Sequence, residues 1–433
     1  MLEPSVWPAS AERVDGVLHL GGVSALDLAR EVGTPAFVLD EADFRARAGA
    51  WRDAFADGLP YYAGKAFLCT SIARWVDEEG LGLDVCTGGE LAVAERAGFP
   101  AERLVFHGNN KSVEELRRAV AYGVSRVVVD SFEEIGRLAE VAATAGVRQP
   151  VLVRVTPGVE AHTHEYVQTG QEDQKFGFSL SSGAAAKAIA MVAEAPALRL
   201  VGLHAHIGSQ IFDTQGFALA AHRMVGALWS APDALETDVA ELNLGGGLGI
   251  AYTSADAPML VRDFADRMRV IVADECAAAD VPVPRIAVEP GRAIVGPTTV
   301  TLYEVGTIKD LPGLRTYVSV DGGMSDNIRT VLYDAHYTAV VANRLSTAEP
   351  RRVTLCGKHC ESGDIIIRDI ALPADLVPGD LIAVPASGAY HRAMASNYNH
   401  VPRPPVVAVR DGAWRTLVRR ETEDDLLRLD AEE

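Results

Sequence analysis

Between about residue 60 and residue 290 the chain alternates short apolar runs with amphipathic stretches, and each run ends in a polar residue or a glycine or just beside one. The runs are PYYAGKA, LGLDVC, RLVFHG, RVVVD, VLVRV, LVGLHAHIG, ELNLGGG and RIAVEP, ending at Ala66, Cys86, Gly108, Asp130, Val155, Gly208, Gly247 and Pro290. Short, nearly continuous apolar runs of this kind read as strands buried on both faces. Helical periodicity fills the intervals at residues 71–79, 90–97, 113–122, 132–145, 184–193, 217–229 and 261–279. Ser112 with Glu115, and Ser131 with Glu134, have the spacing of capping boxes, which marks two of these helix starts. Strands alternating with helices imply parallel pairing. Eight of them allow closure into a (β/α)8 TIM-type barrel, with an open doubly wound sheet as the alternative.

After Pro290 the pattern changes to TTVTLYEVGTI, TYVSVDGG, RVTLCGKHC, DIIIRDIAL, DLIAVPASG, PVVAVRDG and WRTLVRRE, with turns between and few helical windows. This predicts a second, antiparallel β-sandwich or barrel-like domain. The division expected is residues 1–34 joining the β domain, 35–290 the barrel and 291–433 the β domain, with PAFVLD at 35–40 as the passage between them.

Composition narrows the function classes. A length of 433 residues exceeds what one core usually organises. A formal charge of −19 argues against nucleic acid and anionic membrane surfaces as partners. No stretch approaches the length of an apolar membrane span, and the N-terminus has no basic-then-apolar signal pattern, so the cytoplasm is expected. The five cysteines, Cys69, Cys86, Cys276, Cys356 and Cys360, are too few and too irregular for a disulfide framework.

In a barrel of this kind functional groups gather where strands end. Lys65, Asp84, His107 with Asn109, Arg154, His206 with Ser209, Gly245 to Gly247, and Glu289 with Arg292 all fall at or just after such ends. Each alone is ordinary: a lysine after a strand is usually solvated, a histidine in LHAHIG usually bonds locally, and Glu289 has Arg292 as a simple ion-pair partner. Together they offer an amine, a ring face, phosphate donors and a carboxylate, a set that suits pyridoxal phosphate. The triple glycine lacks the G-x-G-x-x-G spacing and arrives at the seventh repeat, which disfavours a dinucleotide site. Cys356 to Cys360 lacks four ligands at zinc spacing, so no metal is expected. Cys360 and Glu361 instead place a thiol beside a carboxylate, against the plainer reading of a buried structural cysteine.

Ten ordered motifs carry a resemblance: YAGKAFLC, LDVCTGGEL, HGNNKS, EDQKFGFS, HIGSQI, LGGGLGI, EPGRAIVG, VDGGMSDNIRTVLY, GKHCESGDI and GAYHRAMASNYN. Over nearly its whole length the chain resembles the fold-type-III pyridoxal-phosphate-dependent decarboxylases, most closely their diaminopimelate-decarboxylating branch. The resemblance implies that Lys65 bonds the cofactor, Glu289 keeps its ring nitrogen protonated and His206 stacks on the ring. It implies Asp84 and Arg154 in the polar surround, and Ser209, Gly246, Gly247, Pro290, Gly291, Arg292 and Tyr390 at or near the phosphate. For the substrate it implies Arg292, Arg329, Tyr333 and Tyr390, with the arginines and Tyr333 on the distal carboxylate, and Glu361 on the distal ammonium. Cys360 is implied to protonate the carbon that loses carbon dioxide, from the neighbouring subunit of a homodimer. One departure is Thr330, where many members have proline. Decarboxylation of another basic amino acid or of a carboxylated polyamine is the nearest alternative. A non-catalytic cofactor-binding homologue would be expected to lack Lys65 or Cys360, and an alanine-racemase-like activity would not need the CESGD segment.

Overall fold

In the computed structural model, residues 2–159, 173–230 and 240–431 are described. Glu172, the first residue of the EDQKFGFS motif, lies outside them. The chain divides into two compact units, Arg47–Gly249 with Pro258–Gly291, and Met1–Ala46 with Ile250–Ala257 and Arg292–Glu433.

In the first of these units eight parallel strands form the barrel wall: β1 (Leu59–Ala63), β2 (Gly82–Val85), β3 (Leu104–Phe106), β4 (Arg126–Val129), β5 (Gln149–Thr156), β6 (Leu198–His204), β7 (Glu241–Asn243) and β8 (Arg285–Val288), with the two-residue strand Phe178–Ser179 paired parallel to β5. Each pairs with its successor, and β8 pairs with β1 through Ala287 opposite Leu59, so the sheet closes. The closed barrel replaces the open-sheet alternative. Tyr61, Val105, Val128, Leu152, Val201 and Ala287 form one buried cluster drawn from six different strands, which can meet only through the barrel interior. At the strand starts, Arg126 Nε lies 3.1 Å from Glu241 Oε2, a buried ion pair linking β4 to β7 at the end away from the chemistry.

Helices occupy the intervals between strands, among them Val113–Tyr122 and Phe132–Ala145. Ser112 and Glu115 form a complete capping box. The second box does not close. Ser131 accepts from the Glu134 N–H, but the Glu134 carboxylate turns to the Asp130 N–H at 3.0 Å and to Lys111 Nζ at 2.7 Å. A buried ammonium attracts the carboxylate more strongly than one orphan backbone donor does.

The other unit is a mixed, mostly antiparallel assembly around the long strand Thr299–Leu311, which pairs antiparallel with Arg315–Val320, Leu381–Val384 and Ala36–Asp40. Arg315–Val320 with Pro350–Cys356, and Val406–Arg410 with Ala36–Asp40, are parallel, two joins within the otherwise antiparallel domain that the sequence predicts. Residues 36–40 were expected at the start of the barrel. Their backbone is bonded on both sides within this second sheet, which leaves no ladder for a barrel strand. Val6, Trp7, Leu18 and Leu20 from the N-terminal segment pack with Val300, Leu302, Val407 and Val409. Among the described residues no helix is long and apolar enough to cross a membrane.

Candidate functional site

At the C-terminal end of the barrel Glu289, just beyond β8, is the hub. Its Oε1 accepts from Asn243 Nδ2 at 2.8 Å and lies 3.0 Å from His107 Nε2, while Oε2 lies 3.2 Å from His204 Nε2. The rings of His107 and His204 meet edge to face at 4.8 Å. Burial alone would raise the Glu289 carboxyl. The charges and hydrogen bonds of the two histidines outweigh that and hold it well below the usual carboxylate range. His204 is pushed down to about 4, chiefly by burial. His107 is raised, because the nearby Asp84 and Glu289 overcome the opposing effect of burial. His107, His204 and Glu289 bring three ligand-type atoms within 4.8 Å of one another, a grouping the sequence did not suggest when it drew attention to Cys356–Cys360.

Around this hub stand the other strand-end groups. Lys65 follows β1 in a short 3-10 turn, Gly64–Ala66. Asp84, within β2, is raised to about 6, mainly by burial, with His107 and Lys65 opposing. Arg154, within β5, is lowered by burial; its Nη1 lies 3.5 Å from Asp130 Oδ2 and its guanidinium sits 4.2 Å from the Phe176 ring centre. His206, two residues past β6, accepts the Gly246 N–H on Nδ1 at 3.2 Å. Burial, together with the cations Lys65 and Arg154, pushes His206 well below its ordinary value, so it is a neutral ring.

The glycine loop after β7 is compact for reasons internal to the protein. A Cβ at Gly245 would sit 2.5 Å from Ala205 O, and one at Gly246 2.3 Å from Glu289 O. These positions therefore require glycine before any ligand is considered.

Ser209, Gly247, Pro290 and Gly291 also belong to the barrel unit, whereas Arg292, Arg329, Tyr333, Tyr390, Cys360 and Glu361 belong to the other, where the two arginines gather tyrosines around them. Arg329 donates from Nε to Tyr337 Oη at 2.9 Å and lies 5.5, 5.4 and 5.9 Å from the ring centres of Tyr252, Tyr333 and Tyr390. Arg292 donates to the Tyr252 hydroxyl and lies 4.8 Å from the Tyr390 ring centre. Burial opposes ionisation of Tyr252, but the two guanidinium groups outweigh it and lower its pKa. Thr330 ties the short helix Arg329–Tyr333 to the neighbouring strand by donating to Ile366 O at 2.7 Å, an anchor that proline would lack. Cys360 and Glu361 are exposed; the Cys360 N–H donates to Asn399 Oδ1 at 3.1 Å, and Glu361 Oε1 accepts from the Gly363 N–H at 3.2 Å. The exposed Cys360 removes the buried-structural reading of this thiol.

Four participants escaped the sequence reading: His204, Asn243, Tyr252 and Tyr337. The signal for the first two was a polar side chain inside an otherwise apolar strand run. Tyr252 and Tyr337 carried no such signal, because a tyrosine between strands is unremarkable.

Residues 41–296 match the family described as pyridoxal-dependent decarboxylase, pyridoxal binding domain. The chain is 55% identical over 439 aligned residues to diaminopimelate decarboxylase of Mycobacterium tuberculosis, covering 99% of this chain and 98% of that protein. It is 48% identical to diaminopimelate decarboxylase of Bacillus subtilis, with 97% of each chain covered. Among solved structures, diaminopimelate decarboxylase from M. jannaschii in complex with L-lysine superposes with a TM-score of 0.91 at 31% identity, covering 98% of both chains.

Proposed function

The chain belongs to the pyridoxal-dependent decarboxylase family, and from that premise we propose that it converts meso-2,6-diaminopimelate to L-lysine and carbon dioxide, the last step of lysine biosynthesis, in the cytoplasm. The observation that carries this reading is the near-full-length identity to proteins bearing that activity in their name.

The barrel end fits pyridoxal phosphate. Asn243 donates to Glu289, and the imidazoles of His107 and His204 lie 3.0 and 3.2 Å from its two oxygens, so Glu289 would offer an ionised acceptor to a protonated ring nitrogen. When bound, the cofactor supplies a ring that accepts the electron pair left behind as carbon dioxide departs. Lys65 holds the cofactor through its amine, and His206 presents a neutral ring face to it. Glu289 keeps the proton on the ring nitrogen, which is what makes the ring electron-poor. Asp84 and Arg154 complete the polar surround. Ser209, Gly246 and Gly247 hold the phosphate, and Pro290, Gly291, Arg292 and Tyr390 border it.

On the substrate side, Arg292, Arg329 and Tyr333 bind the distal carboxylate, where guanidinium groups give paired, charge-assisted hydrogen bonds. Tyr390 borders the substrate, and Glu361 takes the distal ammonium. The enzyme works as a homodimer, in which the partner subunit's Cys360 delivers a proton to the carbon that has lost its carboxylate.

The test is carbon dioxide release from meso-diaminopimelate, ornithine, arginine and lysine, each offered separately to purified protein with pyridoxal phosphate. Release from diaminopimelate alone is expected. Preference for ornithine would overturn the substrate assignment.

A further inference from the structure

Asn243 closes β7 with no solvent exposure, and its amide is used at both ends. Nδ2 donates to Glu289 Oε1 at 2.8 Å, and Oδ1 accepts from the Gly245 N–H at 2.8 Å. The two segments it joins are already interlocked by backbone: the Glu289 N–H donates to Gly245 O at 2.9 Å, and a Cβ on Gly246 would strike Glu289 O at 2.3 Å. The next N–H of the loop, that of Gly246, is given to His206 Nδ1 at 3.2 Å. A displacement of the loop therefore carries both the carboxylate and the imidazole with it.

We infer that Asn243 is a positioning residue, which sets the Glu289 carboxylate and the 245–247 glycine loop in fixed register so that one side chain aligns the ring-nitrogen end and the phosphate end of the cofactor site. This rests on the reading of Glu289 and the loop given above. The choice of an amide follows from the chemistry. The position needs a donor toward a carboxylate and an acceptor toward a backbone N–H at the same time, without charge. Asparagine has both at this length; an ionised aspartate has no donor and would face Glu289 as a second anion, and a leucine has neither group.

The experiment titrates apoprotein with pyridoxal phosphate itself, followed by absorbance and by quenching of intrinsic fluorescence, between about pH 5 and pH 9. Wild type is compared with Asn243→Ala and Asn243→Asp. Asn243→Ala leaves a buried carboxylate oxygen and a buried N–H short of a partner, and cofactor affinity should fall about tenfold to a hundredfold at every pH. Asn243→Asp should behave differently. At low pH the two carboxyls share one proton, which restores a donor toward Glu289 while the other oxygen still accepts from Gly245; affinity should then approach wild type. As pH rises the shared proton is lost and affinity should fall toward the alanine level. The other titrating groups facing this point, Asp84, His107, His204, His206 and Lys65, are common to all three proteins, so the ratio of variant to wild type at each pH reports the new carboxyl.

A general loss of packing would not be rescued by acid, which separates positioning from mere stability. If Asn243→Ala fails to fold, the pH profile of Asn243→Asp carries the test alone. Wild-type affinity in Asn243→Ala, or an Asn243→Asp affinity that does not recover at low pH, overturns the inference. Failure of the wild type to bind pyridoxal phosphate would sink the functional reading and this inference with it, whereas normal wild-type binding with insensitive variants sinks only the role of Asn243.

Discussion

Two acids at the same barrel end, Glu289 and Asp84, are both buried and are driven in opposite directions. Glu289 has two imidazoles and an amide on its oxygens and stays ionised, whereas Asp84, with His107 3.8 Å away, is raised to about 6 chiefly by burial. An acid whose pKa rises on folding favours the folded state below its unfolded pKa and ceases to do so as pH climbs through the folded value. Asp84→Asn should therefore gain stability relative to wild type as pH rises from about 4 to about 7, by an amount of order 2 kcal/mol. Thermal melts of the two apoproteins across that range check it; a constant difference would mean that Asp84 does not titrate there. Arg329 acts on a different part of the proposed chemistry. Arg329→Ala should lower kcat/KM for diaminopimelate by about one to two decades, the equivalent of a charge-assisted hydrogen bond worth roughly 1.5–3 kcal/mol. The visible absorbance of the bound cofactor should be unchanged. Loss of that absorbance instead would move Arg329 from substrate to cofactor.

At the scale of elements, what was legible followed from local rules. All eight barrel strands and the helices between them announce themselves, because buried parallel strands are continuous apolar runs and surface helices are amphipathic. Strand-end placement then made Lys65, Asp84, Arg154, His206 and Glu289 visible as candidates. Long-range pairing was not legible. PAFVLD reads as a buried strand in either sheet, and only its ladders with Thr299–Leu311 and Val406–Arg410 decide between them. The Glu134 carboxylate is a similar case, since its diversion from the capping box depends on Lys111, which comes from the loop after β3. The Lys111 ammonium is nearly inaccessible; it donates to Gly108 O and Val128 O at 2.5 and 2.8 Å and lies 2.7 Å from Glu134 Oε1. Lys111→Met should cost about 3–5 kcal/mol, because it strands a buried carboxylate, whereas Ser112→Ala should cost only about 1 kcal/mol by removing an exposed cap. Urea unfolding of both variants tests the ranking. Similar losses would show that the buried pair contributes no more than a surface cap.

For the whole molecule, Lys65 and Cys360 belong to different compact units, and the proposed homodimer draws them into one site from different subunits. Symmetry turns that proposal into a number. Lys65→Ala and Cys360→Ala should each be inactive alone. When the two chains are mixed in equal amounts and exchange freely, about half of the dimers contain one of each. In every such dimer one site inherits both defects and the other inherits neither, so about a quarter of all sites are intact and activity should recover to about a quarter of wild type. Subunit exchange is verified independently, by differently tagged chains that co-purify after mixing. Co-purification without any recovery of carbon dioxide release would mean that Lys65 and Cys360 serve the same site from a single chain, or that Cys360 takes no part in the proton transfer.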